Sequence, residues 1–327
     1  MKSSPRRIKP RAVDGILLLD KPCGLTSNAA LQRVKRLFRA DKAGHTGSLD
    51  PLATGLLPIC MGQATKLSAH LLDADKTYRA RVQLGSKTTT GDADGRIVES
   101  RASSITRAQL ESLIPQFLGS IRQVPPMYSA LKRDGEKLYK LAREGIEIER
   151  EPREVVIHRL SLLSFDAQSE AQSFEFEVQC SKGTYVRTLA EDWAAAAGEL
   201  AHLTALRRTG LGRFDASTMI DLQALEDCGD EAAREHLHLQ PLLSVLPHWP
   251  RLSVDASAAR ELRAGTPITV DAVLAAGWIC VLDESGRLTW LAEHDGAGTL
   301  SPRRWLGRDA LSESNNPTSA GGPVVAS

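Results

Sequence analysis

Residues 76–84, Lys76-Thr77-Tyr78-Arg79-Ala80-Arg81-Val82-Gln83-Leu84, put Tyr78, Ala80, Val82 and Leu84 on one side of an extended chain and Thr77, Arg79, Arg81 and Gln83 on the other. A period of two marks a strand with one buried and one wet face. Phe174, Phe176, Val178 and Cys180 repeat the pattern further along. Strands of a wholly parallel sheet, covered on both faces, tend to be continuously apolar. Alternation therefore predicts a mixed, mainly antiparallel sheet flanked by helices, an α+β fold.

Working outward, DGILLLDKP (14–22) reads as a buried strand ended by Pro22. Thr26, Ser27 and Asn28 then offer capping oxygens to a helix carrying Leu31, Val34, Leu37 and Phe38 on one face. Segments near 106–118, capped by Thr106, and 188–197, after a Lys-Gly turn, read as helices. The pattern breaks around His248–Pro250. Beyond it, a helix over Ala256–Ala264 ending at Gly265, and two short strands about the turn Asp283–Gly286, predict a small β-rich second domain. The expected plan is a basic tail (1–12), a large domain (13–248) with an insertion near 120–153, the small domain (249–310) and a polar tail (311–327).

Composition narrows the function classes. The chain has 327 residues, 42% hydrophobic and 25% charged, which is the make-up of an ordinary folded protein too long for one core. No apolar run reaches the roughly 20 residues of a membrane span, and the N-terminus lacks a signal peptide's apolar segment, so a cytoplasmic protein is expected. Cys23, Cys60, Cys180, Cys228 and Cys280 are odd in number and scattered; reduced, mostly buried thiols are expected rather than disulfides or zinc. A net charge of +1 excludes a strongly basic nucleic-acid binder, so any RNA surface must be local. Two places supply one. Lys2, Arg6, Arg7, Lys9 and Arg11 come with no acid, and Lys132–Arg143 holds five basic residues against two acidic ones.

The most irregular stretch is Gly44-His45-Thr46-Gly47-Ser48-Leu49-Asp50-Pro51-Leu52-Ala53-Thr54-Gly55. Taken alone, Asp50 reads as the cap of a short helix beginning at Pro51. A hydrolase triad from His45, Ser48 and Asp50 is disfavoured because triad members converge from separate segments. A metal site from His45, Asp50 and His70 lacks paired-ligand spacing.

Taken whole, GHTGSLDPLATG resembles the catalytic motif of the TruB family of pseudouridine synthases. Further matches follow in the family's order: LDKPCGLTS (19–27), KTYRARVQLG (76–85), VPPMYSALKRDGEKLYKLAREG (124–145), SKGTYVRTLAED (181–192) and LTALRRTGLG (203–212). The resemblance implies isomerisation of the T-loop uridine (position 55) of tRNA by base flipping, with no cofactor and no metal. It makes Asp50 the catalytic carboxylate and Arg187 its partner. Tyr78 stacks on the flipped base, Leu206 walls the pocket, and Lys21 and Tyr185 support it. His45, expected at the loop's tip, takes the base's place in the RNA stack. Lys137 and Lys140 on one face of a helix expected to begin near Asp134, with Arg143 beside them and Lys132 and Arg133 just before, grip phosphates. The C-terminal region resembles a PUA-type RNA-binding domain that reaches the acceptor arm, and a monomer is implied. Two rivals are a tRNA-folding chaperone without catalysis and a guide-RNA-dependent synthase, which would lack the insertion at 124–145.

Overall fold

The computed structural model describes residues 9–308 apart from Asp134, Ser169, Glu170 and Ala272. Most of the expected basic N-terminal tail and all of the polar tail from 311 lie outside the described residues. Arg11, at the described edge of the basic segment, bridges to Ala40 and pairs with Glu235 at 2.8 Å.

An 11-stranded sheet organises residues 15–240. Its main path runs Ile220–Asp221, Gly15–Lys21, Thr54–Met61, Ala201–Leu211, Lys76–Leu84, Ser173–Cys180, Arg153–Asp166 and Gly119–Gln123. Most pairings are antiparallel. The exceptions in this sheet are Gly15–Lys21 with Ile220–Asp221 and a short parallel contact at Arg207↔Thr54 and Arg208↔Gly55. The period-two expectation holds in detail: Ala80, Val82 and Leu84 are buried while Arg79 and Arg81 face out. Phe174, Phe176, Val178 and Cys180 are likewise buried.

Helices cover the inner face. The helix Ser27–Leu37 starts where Thr26 accepts a hydrogen bond from Ala29 N, and it buries Ala30, Leu31 and Val34. The helix Arg107–Leu113 opens with a reciprocal Thr106–Gln109 capping box. The helix Val186–Ala196 drives Trp193 against Phe174 and Phe176 edge-on, and the indole donates to Leu110 O at 3.0 Å. A fully buried indole without that acceptor would leave an unmet donor in the core.

At the parallel contact the backbone leaves no room for a side chain. Gly55 has φ +97°, and a Cβ there would lie 2.2 Å from the carbonyl oxygen of Arg208. Gly55→Ala is therefore expected to lower unfolding free energy by about 3 kcal/mol or more, combining a disfavoured backbone angle with a backbone clash. Denaturant titration checks it, and an unchanged midpoint contradicts the crowding argument.

A second sheet, ordered Arg251–Ser253, Gly277–Leu282, Leu288–His294, Thr299–Trp305 and Ile268–Thr269, encloses its own core with the helix Ala256–Arg263. It is joined to the larger sheet by apolar packing of Leu67 and Leu246 against Cys280, Leu291 and Leu306. Polar ties add to the joint: Arg308 forks onto Asp14 at 2.6 and 2.7 Å, and Lys66 donates to Trp305 O at 2.7 Å. Among the described residues no helix is long and apolar enough to cross a membrane. All five cysteines are free; Cys60, Cys180 and Cys280 are buried, and Cys23 is exposed.

Two local expectations are corrected. The helix placed near Asp134 begins only at Leu138 and ends at Arg143. Lys132–Arg133 and Glu136–Lys137 instead pair as a hairpin around Gly135, whose φ is +86°. Helical spacing in the charges misled because a glycine in the left-handed region closes a turn and not a helix. Nor does a helix follow Pro51. Ala53 N donates back to Asp50 O at 3.1 Å in a single turn, and the chain then enters the strand Thr54–Met61.

Candidate active site

Asp50 stands on the loop 46–53, between the strands Ala43–His45 and Thr54–Met61. Backbone groups that a helix or ladder would have paired are met by buried side chains. Ser27 Oγ accepts from Leu49 N at 2.7 Å and donates to Leu49 O at 3.0 Å. The Lys21 ammonium, wholly inaccessible, donates to Leu25 O at 2.7 Å, Pro22 O at 2.9 Å and Pro51 O at 3.4 Å. Arg208 Nη2 donates to Gly47 O at 3.1 Å. An irregular loop held by this many polar contacts is rigid without regular secondary structure, which a charge-bearing site requires.

Arg187, near the start of the helix Val186–Ala196, reaches that loop. Its Nη2 lies 3.0 Å from Asp50 Oδ2 and donates to Tyr128 O at 2.7 Å. Its Nη1 donates to Thr90 O at 2.7 Å and lies 3.6 Å from Asp92 Oδ2. The guanidinium side chain is 6% exposed and Asp50 43%. Arginine thus sits behind the carboxylate and fixes it, while Asp50 keeps an open side toward the cavity. Burial pushes the Asp50 carboxyl above the usual carboxylate range, Arg187 works against that, and Asp92 and Asp94 add to it.

The cavity in front of Asp50 encloses about 330 Å³. Tyr78, Tyr185, Leu206 and Arg208 line it together with Asp50 and Arg187. Tyr78 and Arg208 face one another in the register of the two central strands, and a bulge between Arg208 and Gly210 re-aims this end of the strand Ala201–Leu211. Burial holds the Tyr78 hydroxyl above its ordinary pKa, with Arg208 opposing, so the phenol is protonated at neutral pH. Lys76 enters the same cavity; burial, aided by Arg208, lowers its ammonium to about 8, and its Nζ donates to Leu72 O and Ala74 O.

A sequence profile of the TruB family pseudouridylate synthase N-terminal domain matches residues 35–186, and one of the tRNA pseudouridylate synthase B C-terminal domain matches 187–246. The chain belongs to the TruB family. It is 52% identical over 298 residues to tRNA pseudouridine synthase B of Stutzerimonas stutzeri (strain A1501), covering 90% of this chain and 96% of that one. To the protein of the same name from Azoarcus sp. (strain BH72) it is 54% identical over 260 residues, covering 80% and 85%. Among solved structures, a chain of a Cbf5-Nop10-Gar1 complex superposes with a TM-score of 0.66 at 23% identity, covering 94% of this chain and 91% of that one. That likeness is one of fold.

Within this TruB-family framework, the structure brings Asp50, Tyr78, Tyr185, Arg187 and Leu206 to one cavity, with Lys21 beneath the loop. His45 is not at a loop tip. It ends a short strand opposite Ile59, half-buried, with Nδ1 enclosed and without a partner among the described residues. Burial first, then Arg208, holds its pKa below the ordinary histidine value, so the ring is neutral. Arg133, Lys140 and Arg143 are exposed, on the hairpin and the short helix after it, with Arg143 over the Tyr139 ring at 5.5 Å. Lys132 and Lys137 lie on the hairpin strands, but their side chains fall outside what is described.

Sequence reasoning missed Asp92, Arg208 and Lys76. Asp92 accepts from Thr90 Oγ1 at 2.6 Å and from Asp94 N at 3.2 Å, and so is a fixed second anion behind Arg187. Its signal was the octet Thr88-Thr89-Thr90-Gly91-Asp92-Ala93-Asp94-Gly95, which reads as ordinary turn chemistry until its carboxylate is seen to be buried. Arg208, 1% exposed, donates to Leu56 O at 2.6 Å; no spacing in the sequence separates it from its half-buried neighbour Arg207, which pairs with Asp20.

Proposed function

We propose that the protein isomerises the T-loop uridine at position 55 of tRNA to pseudouridine, using the Asp50 carboxylate and no cofactor. The observation that carries the reading is the Asp50–Arg187 pair, open on one side to a cavity lined by Tyr78 and Leu206. The curated relatives named tRNA pseudouridine synthase B supply the substrate class. The reaction breaks the N1–C1′ bond, turns the base, and forms C5–C1′, with the proton of C5 lost and one gained at N1. No oxidant or reductant enters. An ionised carboxylate beside the sugar serves as nucleophile at C1′, as a counter-charge to it, or as base toward a sugar proton. Arginine behind it keeps the group charged and aimed while the base is turned.

The base is stacked in the folded loop, so it must be everted at a cost of a few kcal/mol. Tyr78 receives the ring, Leu206 closes the pocket, and the neutral His45 stacks into the gap. Arg133, Lys140 and Arg143 grip phosphates, the C-terminal sheet reaches the acceptor arm, and the enzyme acts as a cytoplasmic monomer. Exchanging both Lys140 and Arg143 for alanine should make the dependence of log affinity on log salt shallower by roughly 1.5 with turnover at saturating tRNA retained; an unchanged slope removes these residues from the interface. The test of the whole reading is incubation of unmodified tRNA with the protein and with Asp50→Asn, mapping pseudouridine by nucleotide. Product elsewhere than the T-loop, or equal product from both proteins, overturns it.

A further inference from the structure

Gln123 ends the edge strand Gly119–Gln123 with only 1% of its surface exposed. Its side-chain amide meets both backbone groups of one residue: Tyr185 N donates to Gln123 Oε1 at 3.0 Å, and Gln123 Nε2 donates to Tyr185 O at 3.3 Å. Tyr185 is the N-cap of the helix Val186–Ala196, and its side chain makes no capping hydrogen bond. Its carbonyl also accepts from Leu189 N at 3.0 Å, the first bond of that helix. A buried amide from a distant strand therefore anchors the helix start, two residues before Arg187. The same stretch of chain returns to the arginine at its other end, where Tyr128 O accepts from Arg187 Nη2 at 2.7 Å.

We infer that Gln123 is a positioning residue for the proposed reaction, setting the first turn of the helix so that Arg187 meets Asp50. The inference rests on the reading of Asp50 and Arg187 given above. Four acceptors surround one guanidinium, the carboxylates of Asp50 and Asp92 at 3.0 and 3.6 Å and the two backbone carbonyls at 2.7 Å, so a slip of the helix start by a fraction of an ångström loosens the carboxylate contacts, that to Asp50 among them, before the carbonyls. Misplacement on the scale of 1 Å typically costs about 100-fold in rate. The RNA-facing residues Arg133, Lys140 and Arg143 are not touched by it.

The test compares Gln123→Leu and Gln123→Glu with the parent on unmodified tRNA. Gln123→Leu is expected to lower kcat about 10- to 100-fold with tRNA affinity within about twofold. The acid limb of its rate profile should move to higher pH, since Arg187 is what holds the Asp50 carboxyl down against burial, Asp92 and Asp94, with Lys21 a smaller help. Gln123→Glu carries an internal control. The new carboxyl stands at the register position opposite Arg153, and Arg153 and Arg187 are the cations acting on the neighbouring Tyr185; ionised, it accepts from Tyr185 N but repels Tyr185 O, and protonated it restores the lost donor. Its activity relative to Gln123→Leu should rise as pH falls. A merely structural role lowers the melting temperature and leaves kcat and both pH signatures unmoved, and that result, in variants still folded by circular dichroism, overturns the inference. An active Asp50→Asn control in the same assay sinks the functional reading instead, so the two failures are distinguishable.

Discussion

Asp50→Asn is expected to turn over unmodified tRNA about 10⁴-fold more slowly or worse while binding it nearly as well. The substitution keeps the shape and leaves an oxygen for Arg187 Nη2, 3.0 Å away in the parent. It removes the one thing the proposed chemistry uses, an anionic oxygen. In the parent, kcat/KM should fall as pH drops through the Asp50 pKa, which burial has raised above the ordinary carboxylate value, so the acid limb lies higher than for a free aspartate. The stability sign is opposite to that of a well-paired acid. With the folded pKa raised, the folded state holds a proton that the unfolded chain has released, so stability declines as pH climbs through the window between the two values. At neutral pH the ionised Asp50 is a net cost, and Asp50→Asn should melt no lower than the parent, and somewhat higher. A mutant that loses activity together with several degrees of melting temperature shows collapse of the loop and not loss of a reacting group.

Arg187→Ala should be nearly as damaging to turnover, by about 10³-fold or more, the scale of removing a preorganised electrostatic partner. Unlike Asp50→Asn it should also destabilise, by about 3–5 kcal/mol, because it strands a buried carboxylate. Asp92 is only 6% exposed, and Thr90 O and Tyr128 O lose their donor as well. The surviving Asp50 charge loses the cation that opposes burial, so the acid limb of any residual activity moves to still higher pH. Arg187→Lys keeps one charge but not the planar fork that spans two carboxylates and two carbonyls, and should recover only part of both losses. Turnover of Arg187→Ala at the parental rate would remove arginine from the mechanism, whatever its melting temperature.

These effects were unequally legible in the sequence. The strands at 76–84 and 173–180, the Thr26 and Thr106 caps and the break before Pro250 are local signals, set by alternation, capping oxygens and ring constraint over a few neighbours. The irregularity of residues 44–55 was equally plain, because three glycines and an Asp-Pro step suit neither a helix nor a strand. The charge run at 132–143 was misplaced for the same local reason: helical spacing was read across Gly135, whose backbone angle only a turn satisfies.

By itself the sequence determined where the chain would be extended or helical, which face of each element would be apolar, and which loop would carry the odd carboxylate, because these depend on residues a few positions apart. The geometry of the Asp50–Arg187 pair, which the resemblance named but could not place, the presence of Asp92 behind it, the burial of Arg208 beside Tyr78 and the grip of Gln123 on Tyr185 were decided by tertiary structure. Each needs strands from distant parts of the chain laid in one order and register, and neither the low dielectric that raises the Asp50 pKa nor the direction of a buried guanidinium exists until that packing is complete.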